Sequence, residues 1–498
     1  MPDAGVDAGG DSGPPAGPAL YVAQAAAGTS DGSSCANAHP VTWFNDPTKW
    51  GAAPTQIGPG TVVHLCGTFT GTAGGTMLTA QGSGTAGSPI TLYFEPGAVL
   101  TAPYWQIAIS LKNQSYLTID GGQNGIIENS ANGSALANQK GTIAIAVSTT
   151  SYVTIESLTI QNLYVRSGNL CEVDQTEINA FNSGGADHVT IANNVIHDVG
   201  WAILGPVDYE VIAGNDIYNI DHGVQFGSSG TLHGIVIHDN HIHDYALWDT
   251  TPQTDCYHHD GVHGFGTPAG VVTDVNIYDN LFDGNTGANF NQQIYLEGTN
   301  DGTPWTSSPS SVDNIFNNVF FTSAPSLSVA GLGYGGHGVY VNNTVVGSSP
   351  TYTSACDSFG ELSTSAPSQV ENNAVEGCGI LVAGSAAFGA SVFDYNAYAN
   401  CNNFNCFFAT INGTAVDVGG FAPWQAMSGL DAHSLANLAS ATYFNLSATY
   451  QPQAGSPLIG AGTNLTSLCT GSLAPLCNDR AGKPRPSAGA WDIGAYQH

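Results

Sequence analysis

Positive charge is scarce in this 498-residue sequence: seven lysines and arginines stand against 38 aspartates and glutamates, a formal net charge of −31. Such a surface repels polyanions held by charge alone, so nucleic acid is excluded as a partner. Charged residues are 9% of the chain, well under half the usual share of about 25%. Glycine, serine, threonine and asparagine supply the missing polarity and favour turns and short strands, so extended helices should be few. No apolar run approaches the ~18 residues that mark a membrane-spanning helix. CxxC pairs and a GxxxxGK(S/T) phosphate loop are missing, which removes the usual thiol-metal and P-loop readings, and short glycine motifs are simply frequent in a chain with 63 glycines.

The ten cysteines are even in number and lack metal spacing, which argues for disulfides and an oxidising compartment. Proximity pairs Cys35 with Cys66, Cys401 with Cys406 and Cys469 with Cys477, and leaves the connectivity of the others open. Residues 1–18 are almost all Asp, Ala, Gly and Pro and cannot bury a core, so they read as a disordered tether. A tether implies something to hold, so a signal or anchor segment is expected ahead of Met1, and the protein is expected to be secreted or tethered at the cell surface.

The rest of the chain is organised by a repeat. In eight fragments, among them VTIANNVI, IVIHDNHI and DNIFNNVF, an apolar residue is followed three positions later by Asn. The pairs are Ile191 with Asn194, Ile212 with Asn215, Ile237 with Asn240, Ile277 with Asn280, Ile315 with Asn318, Tyr340 with Asn343, Val370 with Asn373 and Phe393 with Asn396. Ile119 and Ile155 keep the apolar phase without the Asn, and successive phase residues from Ile119 are 36, 36, 21, 25, 40, 38, 25, 30 and 23 positions apart. A minimum step with variable excess is what one solenoid coil plus loops gives, and the Asn marks a tight bend whose side chain can bond the next coil's Asn. A β-sandwich would show regular strand spacing and hairpin turns and would not explain the Asn register.

With GPGTVVHLCGT near the front and SPLIGAGT and RPSAGAWDIGAYQ at the back, the chain resembles the pectate-lyase-like superfamily, as a bacterial secreted member. The resemblance covers roughly Tyr21 to His498. It implies an all-β, right-handed parallel β-helix with an Asn ladder and capping segments, and a polysaccharide substrate lying along a parallel sheet. Residues 19–110 are expected to form the N-terminal cap and first coils, 111–400 the core with cleft loops 166–176 and 246–259, and 401–498 the last coils and an end cap holding a short helix.

A second strand of each coil can be aligned by its inward positions, Ile178, Ile203, Val224, Val262 and Ile294. Alternation then puts Asn179, Leu204, Gln225, His263 and Tyr295 in one outward row. Trp201, His222, Asp260 and Gln292 fall two residues earlier, so His222 is expected beside Asp260 and His263 beside Tyr295. The loops around Arg166 and around Tyr257, His258 and His259 would be two walls of a cleft whose floor holds Trp201, Asp221 and His222.

These residues suit proton transfer. In β-elimination on an acidic polysaccharide, His222 oriented by Asp260, or His263, would be the base, and Tyr295 or Tyr257 the acid, with His258 beside them. Arg166 or a calcium ion would neutralise the uronate carboxylate. Trp201, Gln225, His259, Asp221 and Glu297 are the expected substrate contacts. Asp174, Glu177, Asp221, Asp260 and Glu297 offer enough oxygens for calcium, whereas no known zinc spacing recurs. The alternatives are a glycoside hydrolase using carboxylates from Asp221, Asp260 and Glu297, a uronate epimerase on the same residues, and a non-catalytic glycan-binding solenoid. The protein is expected to work as a monomer.

Overall fold

The computed structural model describes residues 17–131, 141–163, 178–227, 230–245, 259–266, 271–287, 290–299, 313–322, 338–347, 355–362, 367–377, 379–384, 391–399, 407–411, 414–437 and 443–498. Two compact units are distinguished, one of Met1–Phe226 with Thr250–Tyr257 and one of Gly227–Asp249 with His258–His498.

In the first unit, short strands stack in parallel, each one coil later in the chain. Val62–Cys66, Ile90–Phe94, Ser115–Asn129, Ser151–Leu163, Ala186–Ala192 and Val207–Ala213 form one such sheet. The apolar phase read from the sequence is its register: Ile119 faces Ile155, Ile155 faces Ile191 and Ile191 faces Ile212. In the second unit, Ile237, Ile277, Ile315, Tyr340, Val370 and Phe393 stack in the same way. The following short strands repeat it, with Ile242, Phe282, Phe320, Val345, Val375 and Tyr398 in register. Stacked parallel coils with apolar residues inside are a parallel β-helix, and parallel crossovers take the right-handed path almost without exception. The longest described helix is Phe421–Ser428, within the stretch expected to hold one.

The asparagines form the expected ladder. Within the second unit Asn240, Asn280, Asn318, Asn343, Asn373 and Asn396 each donate through Nδ2 to the next Oδ1 at 3.0–3.2 Å. From Asn280 onward Nδ2 also reaches the phase residue's carbonyl on the preceding coil, as Asn318 does to Ile277 at 2.8 Å. Asn194 and Asn215 make the same bond in the first unit at 3.0 Å. At the end of the row Asp431 takes the place of the next amide, accepting from Asn396 at 3.2 Å and from Trp424 Nε1 at 2.7 Å.

The residue before each ladder Asn is left-handed, at φ 54–59° for Asn317, Asn342 and Asn372. Asn, Asp and Gly tolerate that conformation best, which is why the sequence reads NN, DN or GN at seven of these eight bends, Tyr395 being the exception. These first asparagines also bind the C-terminal segment. Asn317 donates to the Asn478 carbonyl at 2.9 Å, Asn342 to those of Asp492 and Gly494 at 3.1 and 3.0 Å, and Asn372 to that of Thr463 at 2.9 Å. The region expected to close the solenoid therefore divides. Phe421–Ser428 and Leu435–Asn437 follow the last coil, with Leu435–Asn437 paired to Ala397–Ala399. The stretch from Tyr443 to His498 instead lies along the bends of earlier coils, burying Leu465, Leu476 and Trp491 against Tyr278, Phe316 and Val341.

The disulfides Cys35–Cys66 and Cys469–Cys477 form as expected. Cys171, Cys256, Cys401 and Cys406 lie outside the described residues.

Candidate active site

In the second unit, His259–Gly266 runs parallel to Phe290–Thr299, with Asp260 opposite Gln292, Val262 opposite Ile294 and His263 opposite Tyr295. Alternation turns Val262 inward and leaves His263 on the other face, as the sequence register requires. The His263 and Tyr295 rings stack with centroids 5.1 Å apart. Asp260 is fully buried. Its Oδ1 accepts from the Gln292 backbone N–H at 3.0 Å and from Asn291 Nδ2 at 3.1 Å, which leaves Oδ2 directed to His263 Nδ1 at 3.6 Å. That distance is too long for a hydrogen bond. A Cβ on Gly261 would lie 2.5 Å from the Gln293 carbonyl oxygen and 3.0 Å from the Phe282 ring, so the close approach that sets Asp260 and His263 side by side requires glycine.

Beneath this row lies a supporting layer that the sequence reading missed. Tyr245 is fully buried and donates to Gln293 Oε1 at 2.8 Å, and Gln293 Nε2 reaches the Phe321 carbonyl at 3.2 Å. Burial, then the nearby Asp260, Asp283 and Asp244 carboxylates, hold the Tyr245 hydroxyl well above its usual pKa. His259 is also fully buried, with its ring 6.3 Å from that of Tyr245. The tyrosine that ends HIHDY was the available signal, an aromatic residue just past the ladder strand.

In the first unit, Trp201 faces His222, Ile203 faces Val224 and Leu204 faces Gln225, again as expected. The row differs one coil earlier: Phe181, not Ile178, is opposite Ile203, and Asn179 is opposite Trp201 rather than in the outward row with Leu204. Register was counted from an insertion whose length does not reveal where the strand resumes, so the count slipped by three residues and reversed the face. His222 stacks on Trp201 at 4.5 Å and bonds through Nδ1 to Asp221 Oδ2 at 2.8 Å. A fully buried carboxylate is thus seated on this ring by its own chain neighbour. Trp201 Nε1 and Gln225 Nε2 are buried without a hydrogen-bond partner among the described residues.

Arg166, Tyr257, His258, Asp174 and Glu177 lie outside the described residues, as does the side chain of Glu297. Calcium takes six to eight oxygens from flexible loops. Among the described residues, Asp221 is engaged by His222, and Asp260 by Gln292 and Asn291. Residue groups able to hold a metal ion are present among the described residues, and nothing in them identifies calcium.

No protein-family model and no curated protein matches the chain. It is similar to the GH136 lacto-N-biosidase from Eubacterium ramulus at 11% identity, over 84% of this chain and 68% of that one, with a TM-score of 0.41. It is similar to the pectate lyase Pel9A at 15% identity, over 96% of each chain, with a TM-score of 0.38. Likenesses at this level transfer neither a reaction nor a residue.

Proposed function

We propose that the chain is a secreted, carbohydrate-active β-helix enzyme that cleaves an acidic polysaccharide by β-elimination, working as a monomer. The observation that carries this reading is the row Asp260, His263 and Tyr295, an imidazole set between a buried carboxylate and a tyrosine ring. Abstraction of the proton beside a uronate carboxylate needs a base that works near neutral pH, and departure of the glycosidic oxygen needs a proton donor. His263, with Asp260 facing Nδ1, has Nε2 for the first task, and Tyr295 has its hydroxyl for the second. His222 on Asp221 is the second histidine proposed for proton transfer, with Trp201 and Gln225 as substrate contacts. Arg166 is the proposed partner of the substrate carboxylate.

Hydrolysis by paired carboxylates is the weaker reading, because Asp221 is engaged by the His222 ring and Asp260 by Gln292 and Asn291, which marks neither as one of an acid and base pair. The test is a panel of acidic and neutral polysaccharides, followed both by the ultraviolet absorbance of an unsaturated uronide and by reducing ends. A rise in both is expected. Reducing ends without the absorbance would replace elimination by hydrolysis, and silence across the panel would leave glycan binding.

A further inference from the structure

We propose that Tyr245 and Gln293 are positioning residues for the row Asp260, His263 and Tyr295, acting through the strand Phe290–Thr299. Their role rests on the reading of that row as the active site and concerns what holds it in register.

Tyr245 follows Ile242, Gln293 follows Phe282 and Phe321 follows Phe320 on three coils whose short strands pair in that order. Tyr245 and Gln293 are both fully buried. The Tyr245 hydroxyl donates to Gln293 Oε1 at 2.8 Å, and Gln293 Nε2 donates to the Phe321 carbonyl at 3.2 Å. One side-chain amide thus ties three coils together.

The surroundings are aromatic. The Tyr245 ring lies 5.7 Å from that of Phe290 and 6.3 Å from that of His259, and Phe282 stacks on Phe320 at 5.1 Å. Replacing both partners of a buried hydrogen bond by apolar groups of the same shape can be neutral or stabilising, so stability alone does not account for a phenol and an amide here. What the polar pair adds is direction. An apolar contact tolerates sliding, whereas a fully bonded network fixes one arrangement.

Gln293 lies where sliding matters. Gln292, the residue before it, donates its backbone N–H to Asp260 Oδ1 at 3.0 Å, and Asn291 donates Nδ2 to the same oxygen at 3.1 Å. Two positions after it, Tyr295 stacks on His263 at 5.1 Å. The pairing of the two strands is irregular between His259 and Asp260, so an unbroken ladder does not set the register there. A shift of Phe290–Thr299 along its axis would move the donors to Asp260 and the Tyr295 ring together, and misplacement by about 1 Å costs on the order of 100-fold in rate. Both residues are buried, so they act through Asp260 and Tyr295 rather than on the substrate.

The test is the double variant Tyr245→Phe/Gln293→Leu of the full chain, which removes both partners together and should melt close to the parent temperature. On the polysaccharide that gives the uronide absorbance, kcat should fall at least ~10-fold with KM within about twofold. Hydrogen–deuterium exchange, read by mass spectrometry, should quicken in the peptide holding Gln292 and keep the parent rate in the peptide holding Ile315. A parent-like kcat, unchanged exchange at Gln292, or exchange that quickens evenly along the chain would overturn the proposal, the last because the pair would then serve stability only. If no polysaccharide is cleaved, the elimination reading falls and the exchange measurement alone decides whether the pair fixes the strand. If the double variant does not fold, Tyr245→Phe, which removes one hydroxyl, is read by the same measurements.

Discussion

The guanidinium of Arg485 donates through Nη2 to Oδ1 of Asn317, 168 residues earlier in the chain, at 2.8 Å. The same nitrogen reaches the carbonyls of Gly494 and Ala495 at 3.3 Å, and the guanidinium carbon sits 5.2 Å from the centre of the Trp491 ring. One buried cation therefore joins a bend of the solenoid to the segment laid over it. Burial brings its pKa down to about 10, against the support of Asp479, Asp279 and Asp492, so it stays charged at neutral pH. Arg485→Met should cost about 3 kcal/mol, because buried acceptors and acidic neighbours lose their partner. Limited proteolysis should then cut within residues 443–498 before the coils. Equal resistance in parent and variant would count against this role for Arg485.

The ladder calls for an amide rather than a polar side chain in general. Asn318 Nδ2 donates to the carbonyls of Ile277 and Phe316 and to Asn343 Oδ1. Asn318→Asp keeps the shape and replaces that donor with an acceptor facing three acceptors. A loss of about 3 kcal/mol or more is expected, read as a lower urea midpoint, whereas Asn285→Asp on an exposed loop should change it little.

Glu210 occupies an inward position. Along its column Ile90, Leu117, Val153 and Val189 are in register, and Glu210 follows Val189. Both of its carboxyl oxygens are buried without a hydrogen-bond partner among the described residues, and burial raises its pKa to about 8. The unfolded chain releases this proton near the ordinary value of 4.5 while the native state keeps it. Stability from this group therefore falls as pH rises from about 4.5 to about 8, by on the order of 4 kcal/mol, and is level beyond. Glu210→Gln should flatten that part of the stability-against-pH curve. An unchanged slope between pH 5 and 8 would mean that other carboxyls carry it.

In the proposed active site, Asp260→Asn retains the acceptor for the Gln292 N–H and removes the charge facing His263. The turnover number should fall at least 100-fold with little change in KM, since the loss is felt when the imidazole gains a proton. His263→Gln should fall at least as far. Full activity of both variants, with their folding verified by thermal melting, would remove this row from the mechanism.

Much of the fold was legible because the parallel β-helix writes itself into sequence as a phase. Ile119 to Ile212 in the first unit and Ile237 to Phe393 in the second could be placed in register, and the Asn ladder located within each, since an inward apolar position and a left-handed bend each admit few residue types. Within His259–Gly266 the pairing of His263 with Tyr295 followed from the same count. The count failed at Ile178, after an insertion, because loop length carries no register.

The sequence by itself determined the repeat, the side of the sheet that residues face where no insertion interrupts the count, and the disulfides Cys35–Cys66 and Cys469–Cys477. It could not determine what lies over the bends or which carboxylate meets which imidazole. Asn317 reads the same whether or not Arg485 covers it, and Asp221 and Asp260 are equally plausible neighbours of a histidine on paper. Contacts between residues distant in the chain depend on the three-dimensional path of the C-terminal segment and on side-chain direction, and those emerge only once the coils are stacked.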